Sequence, residues 1–367
     1  MTLARIKKVF PTGLAFFALV FGSGNLVFPL LTGQKACGSY PFGMIGLMLT
    51  TVIISFISYI GVISSNGSVR EYFKELPDFA YWFITLVIFF VIGPLYVIPR
   101  CALVAFGGAK ELFPQLQIAY FSFGFLATAF VLAIKEEKVV GILEKFITPF
   151  KLGSILFIVL GALYMAPEGA LPIITPYYAF IEGMKDGYQP MDMLGIIFFS
   201  SLFFTAIKQQ LKAEKNNDPQ EFYKRNFWVG VIGLLCIGAV YLLLVLLGAK
   251  YSLHTQNLPG EQIFPRITRI ALGNTAAILI ALSFFFSTLA TALALLNAFA
   301  TFLAVDILKK RIDRFTGLII ATIISYVMSL VGFEAIVHFA GTYILSWLYP
   351  CLIIFVIFKF IKLKVVR

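Results

Sequence analysis

The residues best suited to chemistry lie inside apolar segments rather than between them. Gly22-Ser23-Gly24-Asn25 interrupts the apolar stretch Leu14–Leu31, which closes on Phe28-Pro29. Gly187-Tyr188-Gln189-Pro190-Met191-Asp192 interrupts a second such stretch. A helix in a bilayer must satisfy its own backbone, because hydrocarbon offers no hydrogen bonds. Non-helical backbone at that depth is tolerated only against protein or a wet cavity. Broken helices of this kind are where polar solutes and ions are bound near the membrane midplane. Asp192 adds an acid directly after the second interruption. Acids buried in membrane helices are functional candidates, through substrate, ion or proton coupling. The competing role is N-cap of a half-helix starting near Met193. Arg100, in the outer half of another apolar segment, is the expected charge partner of Asp192. Its alternatives are a pairing with Glu182 or a side chain that snorkels to the outer interface. Asn25 is suited either to capping the second half-helix or to lending its amide oxygen to a cation.

The elements that must position these groups are membrane spans. The 367 residues are 60% hydrophobic and only 13% charged, with 40 Phe, which excludes an ordinary soluble domain. Apolar runs of bilayer-spanning length occupy most of the chain. The pattern predicts ten spans, at about 10–31, 42–63, 81–104, 117–134, 147–166, 176–208, 227–249, 273–304, 315–333 and 336–358. The first run is too long for a cleavable signal and is followed directly by another, so it is read as a retained span. An N-terminus in the cytoplasm puts 22 of the 29 Lys and Arg inside. The positive-inside rule then predicts both termini inside. The net charge of +11 is therefore an orientation signal, and no nucleic-acid partner is expected. Cys37, Cys101, Cys236 and Cys351 are scattered without a CxxC pattern, and His254 and His338 are solitary. Neither a disulfide framework nor a metal centre is expected.

Spans 1–5 and spans 6–10 each begin with a broken helix, and five spans is an odd number. The halves 10–166 and 176–358 are therefore expected as repeats of opposite topology within one transmembrane domain, 1–367. Corresponding interruptions in two such halves point to a binding site between them. The alternative is that both are packing glycines in ordinary helices.

Three elements carry a family resemblance. Gly22-Ser23-Gly24-Asn25-Leu26-Val27-Phe28-Pro29 resembles the GxGNxxFP element of the branched-chain amino acid:cation symporter family. Ile92-Gly93-Pro94-Leu95-Tyr96 with Pro99-Arg100 is similar to that family's IGPLxxxPR element. Gly187-Tyr188, Met191-Asp192 and Leu194-Gly195 resemble its GYxxMDxLG element. The match covers roughly residues 10–305. The resemblance implies an all-α, polytopic, LeuT-like fold of the amino acid–polyamine–organocation group, a five-plus-five inverted repeat with helices 1 and 6 broken. It implies cation-coupled uptake of leucine, isoleucine and valine across a bacterial inner membrane, usually with sodium and with no cofactor. The family usually has twelve spans where ten are read here.

A zwitterionic substrate sets the demands on the site. Its carboxylate needs free donors, and Gly22, Ser23 and Gly24 at the restart of a half-helix offer backbone N–H groups and the positive end of a dipole. Its ammonium needs acceptors, which carbonyls near Val20 and Phe21 and at Tyr188, Gln189 and Pro190 supply. The resemblance makes Tyr96 a candidate to close the carboxylate site, as a tyrosine of the third span does in related folds, the alternative being an interface or packing tyrosine. The resemblance also implies a sodium cage of hard oxygens from the Ala18 and Phe21 carbonyls and the hydroxyls of Ser287, Thr288 and Thr291. The alternative for those hydroxyls is bonding to their own i−4 carbonyls. Glu334, expected at the outer end of the tenth span, is a candidate for an outer gate. A proton-coupled carrier through Asp192, a carrier of other neutral or aromatic amino acids, and a substrate sensor are the remaining readings. A short tail, Lys359–Arg367, argues against a signalling domain. An intramembrane enzyme is not expected, because no HExxH or paired intramembrane aspartates are present.

Overall fold

A computed structural model describes residues 3–134, 153–167 and 174–365, and every regular element in them is helical. Among the described residues, helices lie at the positions of the expected spans, with ends that follow the breakers in the sequence. The first span is α1 (Leu3–Val20) and α2 (Gly24–Ala36), separated by non-helical residues 21–23. The second is α3 (Tyr40–Met48) and α4 (Ile54–Ser64), joined through the π-helical turn Leu49–Ile53. Then come α5 (Asp78–Phe90), α6 (Val97–Leu112), α7 (Ile118–Ile134) and α8 (Gly153–Tyr164). The sixth span is α9 (Pro176–Asp186) and α10 (Asp192–Ala213), separated by residues 187–191. Next are α11 (Pro219–Lys250), α12 (Gly260–Thr301) and α13 (Arg314–Ser329). Last come α14 (Phe333–Phe339) and α15 (Ser346–Val365), joined by the π-helical segment Ala340–Leu345. The start of the expected fifth span and the basic run at 135–151 lie outside the described residues.

The helix of the eighth span, α12, starts well before the boundary expected at 273. It carries a non-helical residue, Gly273 (φ 81°, ψ −173°), at that boundary. The stretch before it, 260–272, is thus a separate helical arm. A positive φ with nothing within 4 Å of a would-be Cβ makes Gly273 a conformational requirement rather than a packing one.

Packing is reciprocal between the broken helices and their neighbours. Both halves of the first broken span, α1 and α2, pack along α11. In the second, α9 packs against α3 and α10 against α4. Helices α6 and α12 pack along each other. Glycine permits these crossings: a Cβ on Gly33 would run into the Val245 carbonyl of α11, and one on Gly248 into the Leu30 carbonyl of α2. In lipid, where apolar surface gains little by leaving hydrocarbon, such backbone-to-backbone approach is a main source of helix association. The outward faces stay apolar, as at Leu235, Phe157 and Ile354, which suits contact with acyl chains.

Candidate functional site at the meeting of the two helix breaks

The two interruptions touch. Asn25, the second residue of α2, donates from Nδ2 to Asp192 Oδ1 at 2.7 Å and also to the Tyr241 hydroxyl. Tyr241, on α11, donates to Asp192 Oδ2 at 2.6 Å. The Asn25 side-chain oxygen accepts the Gly22 N–H at 2.7 Å, so the same side chain stitches the first break to itself and to the second. All three side chains are buried, which makes the triad a fully desolvated polar network with each group partnered.

These contacts bear on the two capping roles. Asn25 caps the break from within, at Gly22, and not the following helix. The N-cap role of Asp192 is corrected: Met191 precedes α10 and Asp192 is its first residue, with its carboxylate turned to Asn25 and Tyr241. Met191 holds φ 65°, a left-handed conformation that costs a non-glycine residue about 1 kcal/mol. The strain sits where the chain must change direction between α9 and α10.

The third span supplies the other charge. Pro94 lacks an N–H and Gly93 is non-helical (φ −94°, ψ −125°), so this span is kinked as well, in the π-helical segment Val91–Leu95. A Cβ on Gly93 would lie 2.9 Å from the Phe299 ring of α12. The kink leads into α6, whose N-terminal end presents Tyr96 and Arg100 to the second break. Arg100 Nη1 donates to the Gln189 carbonyl at 2.7 Å, and the Tyr96 hydroxyl donates to Gln189 Oε1 at 2.5 Å. The guanidinium stacks over the Tyr96 ring at 4.5 Å.

The expected Asp192–Arg100 ion pair is not formed: Asp192 is bonded to Asn25 and Tyr241, while Arg100 donates to the Gln189 carbonyl. Snorkelling is also corrected, since Arg100 is 2% exposed. Glu182 pairs with Lys185 at 2.7 Å instead of Arg100. Tyr188 stacks on Tyr349 of the last span, with ring centroids 4.7 Å apart.

Val20, Gly22, Ser23, Gly24, Asn25, Pro190, Asp192, Arg100 and Thr291 come together around one cavity of about 80 Å³. Its apolar wall is formed by Ile92, Val97, Phe199 and Leu295. Sequence reasoning did not single these out, because every span is rich in the same residue types. Tyr241 was missed too, although a lone hydroxyl in the apolar run of α11 is the kind of signal that marks a buried partner. Phe21, Tyr96, Tyr188 and Gln189 do not line the cavity. Phe21 is buried against Phe17, and the other three brace the second break from behind.

Among the hydroxyls expected at a cation, Thr288 bonds the Phe284 carbonyl at 2.8 Å and Thr291 the Ser287 carbonyl at 3.2 Å. Ser287 differs: its Oγ is buried without a partner. Thr291 faces the first break, 3.7 Å from where a Cβ on Gly22 would stand. Ala18 is half-buried in the last turns of α1. Among the described residues no cluster of His, Cys, Asp and Glu suits a transition metal.

Apolar spans with paired breaks closing on a small amphipathic cavity define an integral membrane transporter. Solved structures share this fold. One is a nucleobase–cation symport transporter, Mhp1, with bromovinylhydantoin bound (TM-score 0.60, 14% identity, 95% of this chain and 77% of that one). Another is MhsT in complex with L-phenylalanine (TM-score 0.61, 14% identity, 94% and 87%). The family profile described as branched-chain amino acid transport protein matches residues 5–367, and the chain belongs to that family. Relatives include the branched-chain amino acid permease BraB of Bacillus subtilis (strain 168), 28% identical over 97% of this chain and 80% of BraB. The permease BrnQ of Escherichia coli (strain K12) is 25% identical over 82% of this chain and 69% of BrnQ. The protein is thus an amino acid transporter of the membrane, a carrier and not an enzyme.

Proposed function

We propose that this chain imports leucine, isoleucine and valine by alternating access, with sodium as the coupling ion. The observation that carries the reading is the amphipathic cavity: backbone amide groups and a cation on one side, Ile92, Val97, Phe199 and Leu295 on the other. That pairing suits a zwitterion with an aliphatic side chain better than a uniformly polar solute. At about 80 Å³ the space holds only a few water-sized volumes, so admitting a leucine requires the lining helices to separate.

In this reading Gly22, Ser23 and Gly24 offer amide groups to the carboxylate, and carbonyls near Val20, Phe21 and residues 188–190 receive the ammonium. Sodium takes the Ser287 hydroxyl, whose lack of a partner supports a ligand role, with Thr288, Thr291 and the Ala18 and Phe21 carbonyls. The reciprocal packing of α1 and α2 on α11, and of α9 and α10 on α3 and α4, supports inverted repeats spanning 10–166 and 176–358. The bundle of spans 1, 2, 6 and 7 then rocks against the rest. The excess of basic residues in alternate loops supports an inner-membrane chain with both termini in the cytoplasm. Proton coupling is the second reading, favoured by a buried carboxylate, Asp192, that ties the two breaks together.

Leucine uptake into proteoliposomes tests these readings under an inward sodium gradient, an inward proton gradient, or neither. Sodium-driven accumulation is expected. Accumulation driven only by protons moves the coupling to Asp192. No uptake of leucine, isoleucine or valine by folded protein under any gradient refutes the substrate assignment.

A further inference from the structure

Arg100 is the member of the central cluster that hydrogen bonding leaves unfinished. A guanidinium carries five N–H donors and no acceptor. Here Nη1 serves the Gln189 carbonyl, while Nε is buried with no partner. The rings of Tyr96 and Phe28, 4.5 and 5.4 Å from the guanidinium carbon, attract its charge through their faces but accept none of its in-plane hydrogens. Asp192 is bonded to Asn25 and Tyr241, and among the described residues Arg100 makes no ion pair. Asp192 shares the cavity and acts on the guanidinium only from beyond ion-pair distance, so an anion arriving directly beside Arg100 is stabilised further.

The cavity is where such an anion meets it. Nη2 lies beside Gly24, so closely that a Cβ on Gly24 would stand 2.8 Å from it. Gly24 begins α2, a helix of 13 residues whose first N–H groups have no partners within the helix. Arg100, Ser23, Gly24 and Asn25 all line the same space, with the Asp192 carboxylate held on Asn25 and Tyr241 in the same lining. A planar carboxylate suits this arrangement, because one oxygen can take the helix end while the other takes the guanidinium edge.

We infer that Arg100 is the counter-ion of the substrate's carboxylate, and so makes an α-carboxylate a requirement for binding. This rests on the amino acid reading of the site. It also gives the carboxylate a mechanical consequence. Arg100 holds the backbone of the second break through Gln189, so an anion that draws on the guanidinium acts on the contact between the two breaks.

The test compares leucine with leucinamide, which keeps the side chain and the ammonium but carries no anionic group. Binding is measured on the purified full chain by calorimetry in sodium chloride at neutral pH. Wild type is expected to bind leucine at least about 100-fold more tightly than leucinamide, the scale of losing a buried charge partner. Arg100→Gln should collapse that ratio to near one by weakening leucine alone. Arg100→Lys, which keeps the charge but not the planar fork, should weaken leucine at least about tenfold and leave leucinamide unchanged. This second variant stands in if Arg100→Gln does not fold. A folded variant of either kind that retains the wild-type ratio overturns the assignment, as does a wild type that binds both compounds equally. If wild type binds none of leucine, isoleucine and valine but binds alanine or phenylalanine, the substrate proposal falls, and the acid-to-amide ratio for that amino acid still decides about Arg100. A wild type that binds none of these amino acids overturns both.

Discussion

Replacing Tyr241 by Phe removes one oxygen from the centre of the molecule and leaves the ring in place. The hydroxyl donates to Asp192 Oδ2 at 2.6 Å and accepts from Asn25, on a side chain that is 0% exposed. At that burial bulk water does not replace it. Hydrogen bonds to charged groups in soluble proteins are worth about 1.5–3 kcal/mol. Interhelical bonds measured within a membrane average about 0.6 and reach about 1.7 kcal/mol, because the reference state also finds partners. Asp192 retains one donor, Asn25, so the variant leaves one carboxylate oxygen unsatisfied rather than an isolated charge. A loss of about 1.5 kcal/mol follows, roughly tenfold in the folding equilibrium. The assay is reversible unfolding in mixed micelles, run as a double-mutant cycle with Asp192→Asn. In the Asp192→Asn background the charge is gone, and Tyr241→Phe should then cost about 0.5 kcal/mol, leaving a coupling of about 1 kcal/mol. A loss below about 0.3 kcal/mol for Tyr241→Phe alone, or strict additivity in the cycle, refutes the claim that this triad holds the two breaks together.

Other perturbations follow from the same contacts. Gly24→Ala puts a Cβ 2.8 Å from Arg100 Nη2 and 2.9 Å from the Pro190 Cα. It should cost about 1–3 kcal/mol of stability by overpacking and abolish uptake; wild-type uptake would show that the breaks separate freely. Ser287→Ala should raise the sodium concentration for half-maximal leucine binding at least about tenfold, on the scale of one lost ligand to a buried charge. Ser283→Ala, whose hydroxyl is already bonded to Ser154 and the Leu279 carbonyl, should not, and equal effects of the two would remove Ser287 from the cage. Glu75 tests pH dependence away from the site. Burial opposes its ionisation, but hydrogen bonds from Lys359 (2.6 Å) and Lys362 (3.2 Å) outweigh that and hold its pKa below the ordinary value of 4.5. Its stabilising effect is therefore complete above pH 4.5 and fades as pH falls through the lower folded-state value. Glu75→Gln should lower the unfolding temperature at neutral pH and converge with wild type in acid; a constant difference across the range would count against the pairing.

Much of the site was legible because its local signals are strong. A glycine beside polar residues inside an apolar run, recurring at the start of each half, marked the stretches 22–25 and 187–192 as breaks. The partners were harder to read. Asp192 was legible as a buried acid, but its choice of Asn25 and Tyr241 over Arg100 depends on how α2, α10 and α11 cross. The kink at Gly93-Pro94 was written in the chain and still passed as part of a motif. Its consequence is geometric: it turns the first residues of α6, and with them Tyr96 and Arg100, onto the second break.

The sequence by itself determined the membrane class, the helical spans, the two breaks and the family. Each follows from local composition, periodicity or motif, and a bilayer enforces the helical pattern through backbone hydrogen bonding and hydrophobic length. Only the tertiary structure decided which apolar side chains wall the cavity, that Tyr241 completes the triad, and that Arg100 faces the cavity with no ion pair among the described residues. Those outcomes depend on residues 49 to 216 positions apart in the chain meeting at a particular depth and rotation. Glycine contacts such as Gly33 with Val245 and Gly248 with Leu30 set that meeting, and no periodicity along the chain encodes it.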